Sequence, residues 1–349
     1  MKRILLIMMD LLKFKILKLV FLVWGLSIFL SCTHDFVETK NTGVALGTTY
    51  SILIYDTVAR DFQQEIDSVF MVINKSMSTY IPDSDISKIN AGDSTVIVDK
   101  MFEEVFNLSK DINSITKGHF DPTVGVLVNA WGFGPGKQIQ MDSTVIDSLL
   151  NYVGFQKVML TSKKTIRKAN PNILFDFNAI AKGYAVDRLG AFLDQKGIKN
   201  YLVEVGGELI AKGENKVKDK KFVVGIDDPL SSDRGNPAAL INLYNKGLAS
   251  SGNYRHFRED AETGIKYVHT IDPLTGYTKN SNVLGVTVLA DNCAVADGYA
   301  TAFMAMDLDE SKALLSKKIG IEAYIIYVTV NGEIEEFFTE GFNTILIKE

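Results

Sequence analysis

The chain has 349 residues, 46% of them hydrophobic and 23% charged, with a formal net charge of −5 at pH 7. That is ordinary globular composition, enough for one large or two modest domains. The acidic balance argues against a nucleic-acid partner, whose recognition needs a basic face, and no internal repeat or low-complexity stretch marks the sequence.

Lys2, Arg3, Lys13, Lys15 and Lys18 precede an apolar run from Leu19 to Leu30, which meets Ser31-Cys32. A basic start, a short apolar core and a small residue before the break describe a secretory signal. The run is about 12 residues, short of the roughly 20 needed to span a bilayer. Cysteine directly after Leu30-Ser31 resembles a bacterial lipobox. The expectation is a signal peptide over 1–31, lipid on Cys32, a tether over 32–42 and a folded body over 43–349. The only other cysteine, Cys293, follows an apolar stretch and reads as a small buried hydrophobe.

The body opens with a β-branched strand predicted over Val44–Ile54. Phe62, Ile66, Val69, Phe70, Ile73 and Met77 recur at three and four and predict an amphipathic helix. A turn-rich loop follows over Ser78–Asp85, then a second helix carrying Val105, Leu108, Ile112 and Ile115 that stops at Lys117-Gly118. His119 to Gly136 is rich in glycine and aromatics and has no clear period. Ile173-Leu174-Phe175 reads as a strand running into a helix, with Asn178 as N-cap and Asp187, Leu189, Phe192 and Leu193 further in. Strands are predicted over Tyr201–Val205, which ends in Gly206-Gly207-Glu208, over Phe222–Ile226 and over Val283–Leu289. Helices are predicted over Ala294–Ala305 and around Ala313–Ile319. A closing hairpin joins Ala323–Val330 to Glu333–Phe338 through Asn331-Gly332. Mixed elements without steady βαβ alternation predict an α+β fold, one compact unit with an internal cleft.

Common chemical templates are missing. There is no G-x-G-x-x-G, no Walker A loop and no H-E-x-x-H, and four histidines with one cysteine beyond the leader make no zinc cage. Ser250-Ser251-Gly252 is not a nucleophile elbow.

Three constellations remain. Asp176-Phe177-Asn178-Ala179-Ile180-Ala181-Lys182-Gly183 places small residues and one lysine at a helix start, where free N–H groups suit a phosphate. By its residues alone it reads equally as a well-capped helix. Asp297 and Thr301 are four apart and share a helix face, offering two hard oxygens to a magnesium ion that takes its other ligands from phosphate. The same spacing also fits a helix-start aspartate and a threonine bonding back to the previous turn. His269 precedes the tight turn Asp272-Pro273-Leu274-Thr275-Gly276, either as a base or as a turn-packing histidine. Phe120-Asp121-Pro122, Trp131-Gly132-Phe133-Gly134 and Leu46-Gly47-Thr48-Thr49-Tyr50 interleave aromatics with glycine, which suits a planar ring or simply docks loops on a core.

Together and in this order, from about Leu46 to near the C-terminus, these segments resemble the FAD:protein FMN transferase family, called ApbE. The resemblance implies magnesium-dependent transfer of FMN from FAD to a threonine or serine of a partner flavoprotein, with release of AMP. It implies magnesium on Asp297, Thr301 and the carbonyl of Ala179, and places Leu46, Tyr80, His119, Phe120, Asp121, Asp176, Lys182 and Ile271 around FAD. His269 is then the expected base, with Asp272 as the other candidate. Some members carry aspartate where Ala300 stands, so one possible metal ligand is missing here. The related alternatives are an FAD pyrophosphatase, with water as acceptor, and an FAD-binding lipoprotein without turnover. The resemblance also suggests FMN-bearing subunits of Rnf- or Nqr-type redox complexes as acceptors. With the leader, it suggests a lipid-anchored protein of the bacterial envelope facing the periplasm.

Overall fold

The computed structural model describes residues 35–231, 236–253, 257–259, 266–279 and 281–347. The expected signal peptide and Cys32 lie outside the described residues. Strand β1 (Val37–Ala45) pairs antiparallel with β2 (Thr48–Asp56) through a two-residue turn, Leu46-Gly47, whose φ values are 51° and 74°. Two successive positive φ angles match the twist of a hairpin. The segment predicted as one strand over Val44–Ile54 is therefore two strands and a turn. Leucine conceals the turn, because a branched side chain rarely adopts positive φ. β1 also takes in Val37 to Thr42, which the sequence suggested as tether. It is held side-on: the Tyr55 hydroxyl donates to Glu38 (2.8 Å) and buried Asn41 donates to Asp61 (2.6 Å).

Helix α1 (Gln63–Met77) buries Ile66, Phe70, Ile73 and Met77, the face its periodicity predicted. A short α2 (Asp85–Asn90), capped by Ser84, occupies the end of the turn-rich segment and is too brief to show a period. α3 (Lys100–Ile115) starts at the Asp99 cap and ends before Lys117 and Gly118, at φ 54° and 94°. The aperiodic glycine-rich stretch contains α4 (Gly125–Ala130), followed by α5 (Ser143–Leu150) and a small hairpin, β3 (Val158–Leu160) with β4 (Ile166–Lys168).

Ile173-Leu174-Phe175 is not a strand; Leu174 makes only an isolated parallel bridge to Val124. α6 (Ala181–Gln195) follows, then β5 (Tyr201–Val205) and β6 (Glu208–Lys212), joined by Gly206-Gly207 at φ 62° and 101°. Next come the hairpin β7 (Phe222–Asp227) with β8 (Pro237–Leu243), then β9 (Lys246–Gly252), the short pair β10 (Phe257–Glu259) and β11 (Lys266–Val268), and β12 (Val283–Ala290). α7 (Cys293–Ala305) and α8 (Leu308–Leu315) lead to β13 (Glu322–Val328), β14 (Ile334–Phe338) and α9 (Glu340–Asn343). α8 begins earlier than the helix expected around Ala313–Ile319.

Eight strands form one sheet in the order β1-β2-β5-β6-β9-β12-β13-β14, every neighbouring pair antiparallel. α6 packs on β5 and β6, α7 on β9 and β12, and the two helices pack on each other. Ile52, Val203, Val205, Ala249 and Val288 from the sheet meet Val186, Leu189, Ala296 and Phe303 from these helices in the main core. Segregated helices on an antiparallel sheet make an α+β fold, as the element pattern predicted.

Candidate active site

Two hairpin turns lie together at one end of the sheet. The Gly206 N–H donates to the Thr49 carbonyl (3.0 Å), and a Cβ at Gly206 would fall 2.7 Å from Thr48 Cγ2. Leu46 of the first turn packs half-buried against the core. The Gly206-Gly207 turn delivers Glu208 as the first residue of β6, where it is 3% exposed.

α6 enters beside it, but not as the sequence suggested. Asn178 does not cap the helix: its N–H and side-chain amide both donate to the Asp176 carboxylate (2.7 and 3.2 Å). The N-cap position falls to Ile180, which makes no side-chain cap bond. The Gly183 N–H donates to Asp297 Oδ2 of α7 (3.0 Å) instead of to the carbonyl four residues back. The Ala179 carbonyl thereby receives no backbone hydrogen bond among the described residues. The helices approach closely at this point. A Cβ on Gly183 would sit 2.5 Å from the Cys293 carbonyl oxygen and 2.8 Å from Asp297 Cβ.

Lys182, Glu208 and Asp297 thus meet from three elements. The Lys182 ammonium is paired with Glu208 Oε1, and its charge also acts on Asp297. Burial pushes the Asp297 carboxyl above the usual range, opposed by Lys182 and by the Gly183 N–H. Burial raises Glu208 to about 7, with Lys182 pulling it down and the Asp297 charge adding to the rise. Two carboxyls share one ammonium in a poorly solvated place, which raises their affinity for protons and makes room for a second cation to hold them ionised.

The donors fit a hard divalent ion: the second oxygen of Asp297, the free Ala179 carbonyl and the half-buried Thr301 hydroxyl one turn along α7. No group of three or more His, Cys, Asp or Glu side chains forms a metal cluster among the described residues. An ion held here would therefore draw further oxygens from water or phosphate.

Phe120 lies buried against the same helix, 3.6 Å from where a Cβ on Gly298 would be. The Asp176 N–H donates to Pro122 O (2.7 Å), tying the 119–122 segment to the helix entry. Tyr80 is exposed as a whole, but partial desolvation of its hydroxyl, and after that the Asp176 charge, push the hydroxyl above its ordinary range. Asp121 turns inward. Its carboxylate accepts from Thr123 N–H (2.8 Å), Thr123 Oγ1 (2.6 Å), Phe155 N–H (2.7 Å) and Asn113 (3.4 Å), so the side chain shapes the loop.

The turn after His269 packs against the 118–131 segment. Asp272 Oδ1 accepts from Leu274 N–H (2.9 Å), and Trp131 Nε1 donates to Gly276 O (2.9 Å). His119 stands between Asp272 Oδ1 (3.7 Å from Nδ1) and Glu310 Oε2 (3.6 Å from Nε2), while Ile271 is buried with Val126, Leu127 and Trp131. The Thr270 hydroxyl donates to Asn253 (2.7 Å), anchoring the segment just beyond β9. His269 is half-buried at the start of this turn.

Sequence reading gave Glu208 no role and read Gly183 only as one of the small residues at a helix start. An acidic residue directly after Gly-Gly, followed by the apolar Leu209-Ile210-Ala211, was the available signal for the first. The small residues there did suggest a close approach, but nothing local signalled that α7 is what comes close to Gly183.

Comparison with known proteins places these features in one family. The profile of the ApbE family matches residues 46–325. A FAD:protein FMN transferase of Haemophilus influenzae is 34% identical over 316 residues, covering 86% of this chain and 90% of the relative. One from Vibrio cholerae is 33% identical over 334 residues, covering 93% and 97%. Among solved structures, the flavin transferase ApbE from Vibrio cholerae superposes with a TM-score of 0.80 at 32% identity, covering 89% of this chain and all of that one. The Pseudomonas stutzeri flavinyl transferase ApbE, in its apo form, gives 0.77 at 27% identity, covering 89% and 97%. With its family profile spanning most of the sequence and its fold matching over the same span, the chain belongs to the ApbE family.

Proposed function

We infer that this protein is an enzyme that transfers FMN from FAD to a hydroxyl of an acceptor protein and releases AMP. The observation that carries the reading is the buried meeting of Asp297, Lys182 and Glu208 beside the free Ala179 carbonyl, in a chain whose relatives are FAD:protein FMN transferases. A pyrophosphate resists nucleophiles until its charge is neutralised. Lys182 supplies one cation for that purpose. Asp297, Thr301 and the Ala179 carbonyl would hold magnesium, which supplies Lewis-acid neutralisation of the phosphate oxygens. Leu46, Tyr80, the 119–121 segment, Asp176 and Ile271 would bound the flavin and its nucleotide.

In the reaction proposed, the acceptor threonine or serine oxygen bonds to the FMN-side phosphorus. The bond from that phosphorus to the bridging oxygen breaks, and AMP leaves with the bridging oxygen. His269 takes the hydroxyl proton. The acceptor class suggested is an FMN-binding subunit of the Rnf or Nqr type. A basic leader and an apolar run ending at Cys32 support a lipid anchor and a periplasmic setting. A Cys32→Ser variant that still fractionated with membranes would sink the anchor.

Incubation with FAD, Mg²⁺ and an FMN-binding-domain acceptor, followed by mass spectrometry of both proteins, tests the activity. Transfer predicts an acceptor heavier by one FMN phosphoester and stoichiometric AMP. Free FMN and AMP with an unmodified acceptor would show a pyrophosphatase instead, and bound but intact FAD would show a binding protein.

A further inference from the structure

Lys182 lies within reach of two carboxylates and pairs with only one. Its ammonium contacts Glu208 Oε1, while the hydrogen bond at Asp297 comes from the Gly183 N–H (3.0 Å). Glu208 is fixed for this task by its backbone. It follows a turn of two positive-φ glycines and is locked between β5, where it pairs with Val205, and the β6–β9 ladder. Its other oxygen, Oε2, is buried without a hydrogen-bond partner. A buried oxygen without a partner is costly, so its retention beside a charged site calls for a reason.

We propose that Glu208 is a positioning residue that holds the Lys182 ammonium away from Asp297, keeping the Asp297 carboxylate open to the divalent cation. This rests on Asp297 being the cation's carboxylate. Without the Glu208 charge, Asp297 becomes the nearest anion to Lys182. In a site of low effective dielectric that pair is strong, and an ammonium on Asp297 occupies the position the cation needs. The lysine would then compete with the metal instead of serving the phosphates.

The test is a Mn²⁺ titration of the full chain, with free ion followed by electron paramagnetic resonance. It compares wild type with Glu208→Gln, Lys182→Ala, the double variant and Asp297→Ala. Glu208→Gln should raise the Mn²⁺ dissociation constant roughly tenfold or more, because a salt bridge must be broken to load the ion. Removing the lysine as well should recover affinity toward that of Lys182→Ala alone, short of it only by the lost attraction of the Glu208 charge. A structural defect from Glu208→Gln would not be rescued by a second truncation nearby. Wild-type affinity in Glu208→Gln, or equally weak binding in the double variant, would overturn the proposal. Wild-type affinity in Asp297→Ala would overturn the cation reading, and this inference with it.

Discussion

At the scale of single residues, several carboxylates around the proposed site are committed to holding loops in place. Asp121 and Asp176 are buried carboxylates whose oxygens accept structural hydrogen bonds, from Thr123 and the distant Phe155 N–H for Asp121 and from Asn178 for Asp176. Asp272 resembles them: one oxygen accepts from Leu274 N–H and faces His119, which makes it a turn-former. The base proposed above, His269, stands half-buried at the start of the same turn. A histidine's ordinary proton affinity also suits removal of a hydroxyl proton near neutral pH. His269→Ala should therefore lower FMN transfer by about 10²-fold or more while FAD binding, read by flavin fluorescence, stays within about twofold. Undiminished transfer would return the role to Asp272.

At the scale of elements, the decisive contact is α6 against α7, and little of it is local in sequence. The long amphipathic helices were legible because Ile66, Phe70, Ile73 and Met77 repeat one face, and Asn331-Gly332 announced the last hairpin. Leu46 hid a turn, and Asn178 suggested a cap that the fold gives to no side chain. Lys182, Glu208 and Asp297 are brought together only by sheet order and helix packing, which no spacing rule encodes. The same packing joins Asp187 of α6 to the start of α7, where its carboxylate accepts from the N–H groups of Cys293 (2.7 Å) and Ala294 (2.8 Å). Burial raises this carboxyl to about 6, those two donors pulling the other way. Between its ordinary value near 3.8 and about 6, the folded chain holds a proton that the unfolded chain has lost. Stability from this group must then fall as pH rises through that window and level off above it. Urea melts from pH 4 to 7 should show wild type losing roughly 2–3 kcal/mol relative to Asp187→Asn across that range. Parallel curves would mean that the two N–H donors hold the carboxylate charged throughout.

At the scale of the whole molecule, the residues proposed for the site come from 46 to 301, whereas the eight-stranded sheet ends in β1 on one edge and β14 on the other. The family profile begins at residue 46, inside the first turn, so β1 lies just outside the matched span. Its side chains are nonetheless tied to the body through Glu38 to Tyr55 and Asn41 to Asp61. β1 also covers the backbone edge of β2, which would otherwise offer unpaired N–H and C=O groups to other chains. Among the described residues the folded body therefore includes β1 from Val37, and the distinction is measurable. A chain beginning at Asp35 should melt cooperatively and remain monodisperse. One beginning at Gly43 loses most of β1 and both side-chain bonds, at a cost on the order of 2–4 kcal/mol. It should melt several degrees lower and aggregate through β2. Because Leu46-Gly47 turns directly into the site, flavin affinity should weaken in the shorter chain even below its melting point. Equal melting temperatures for the two chains would show that β1 is only a tether laid along the sheet.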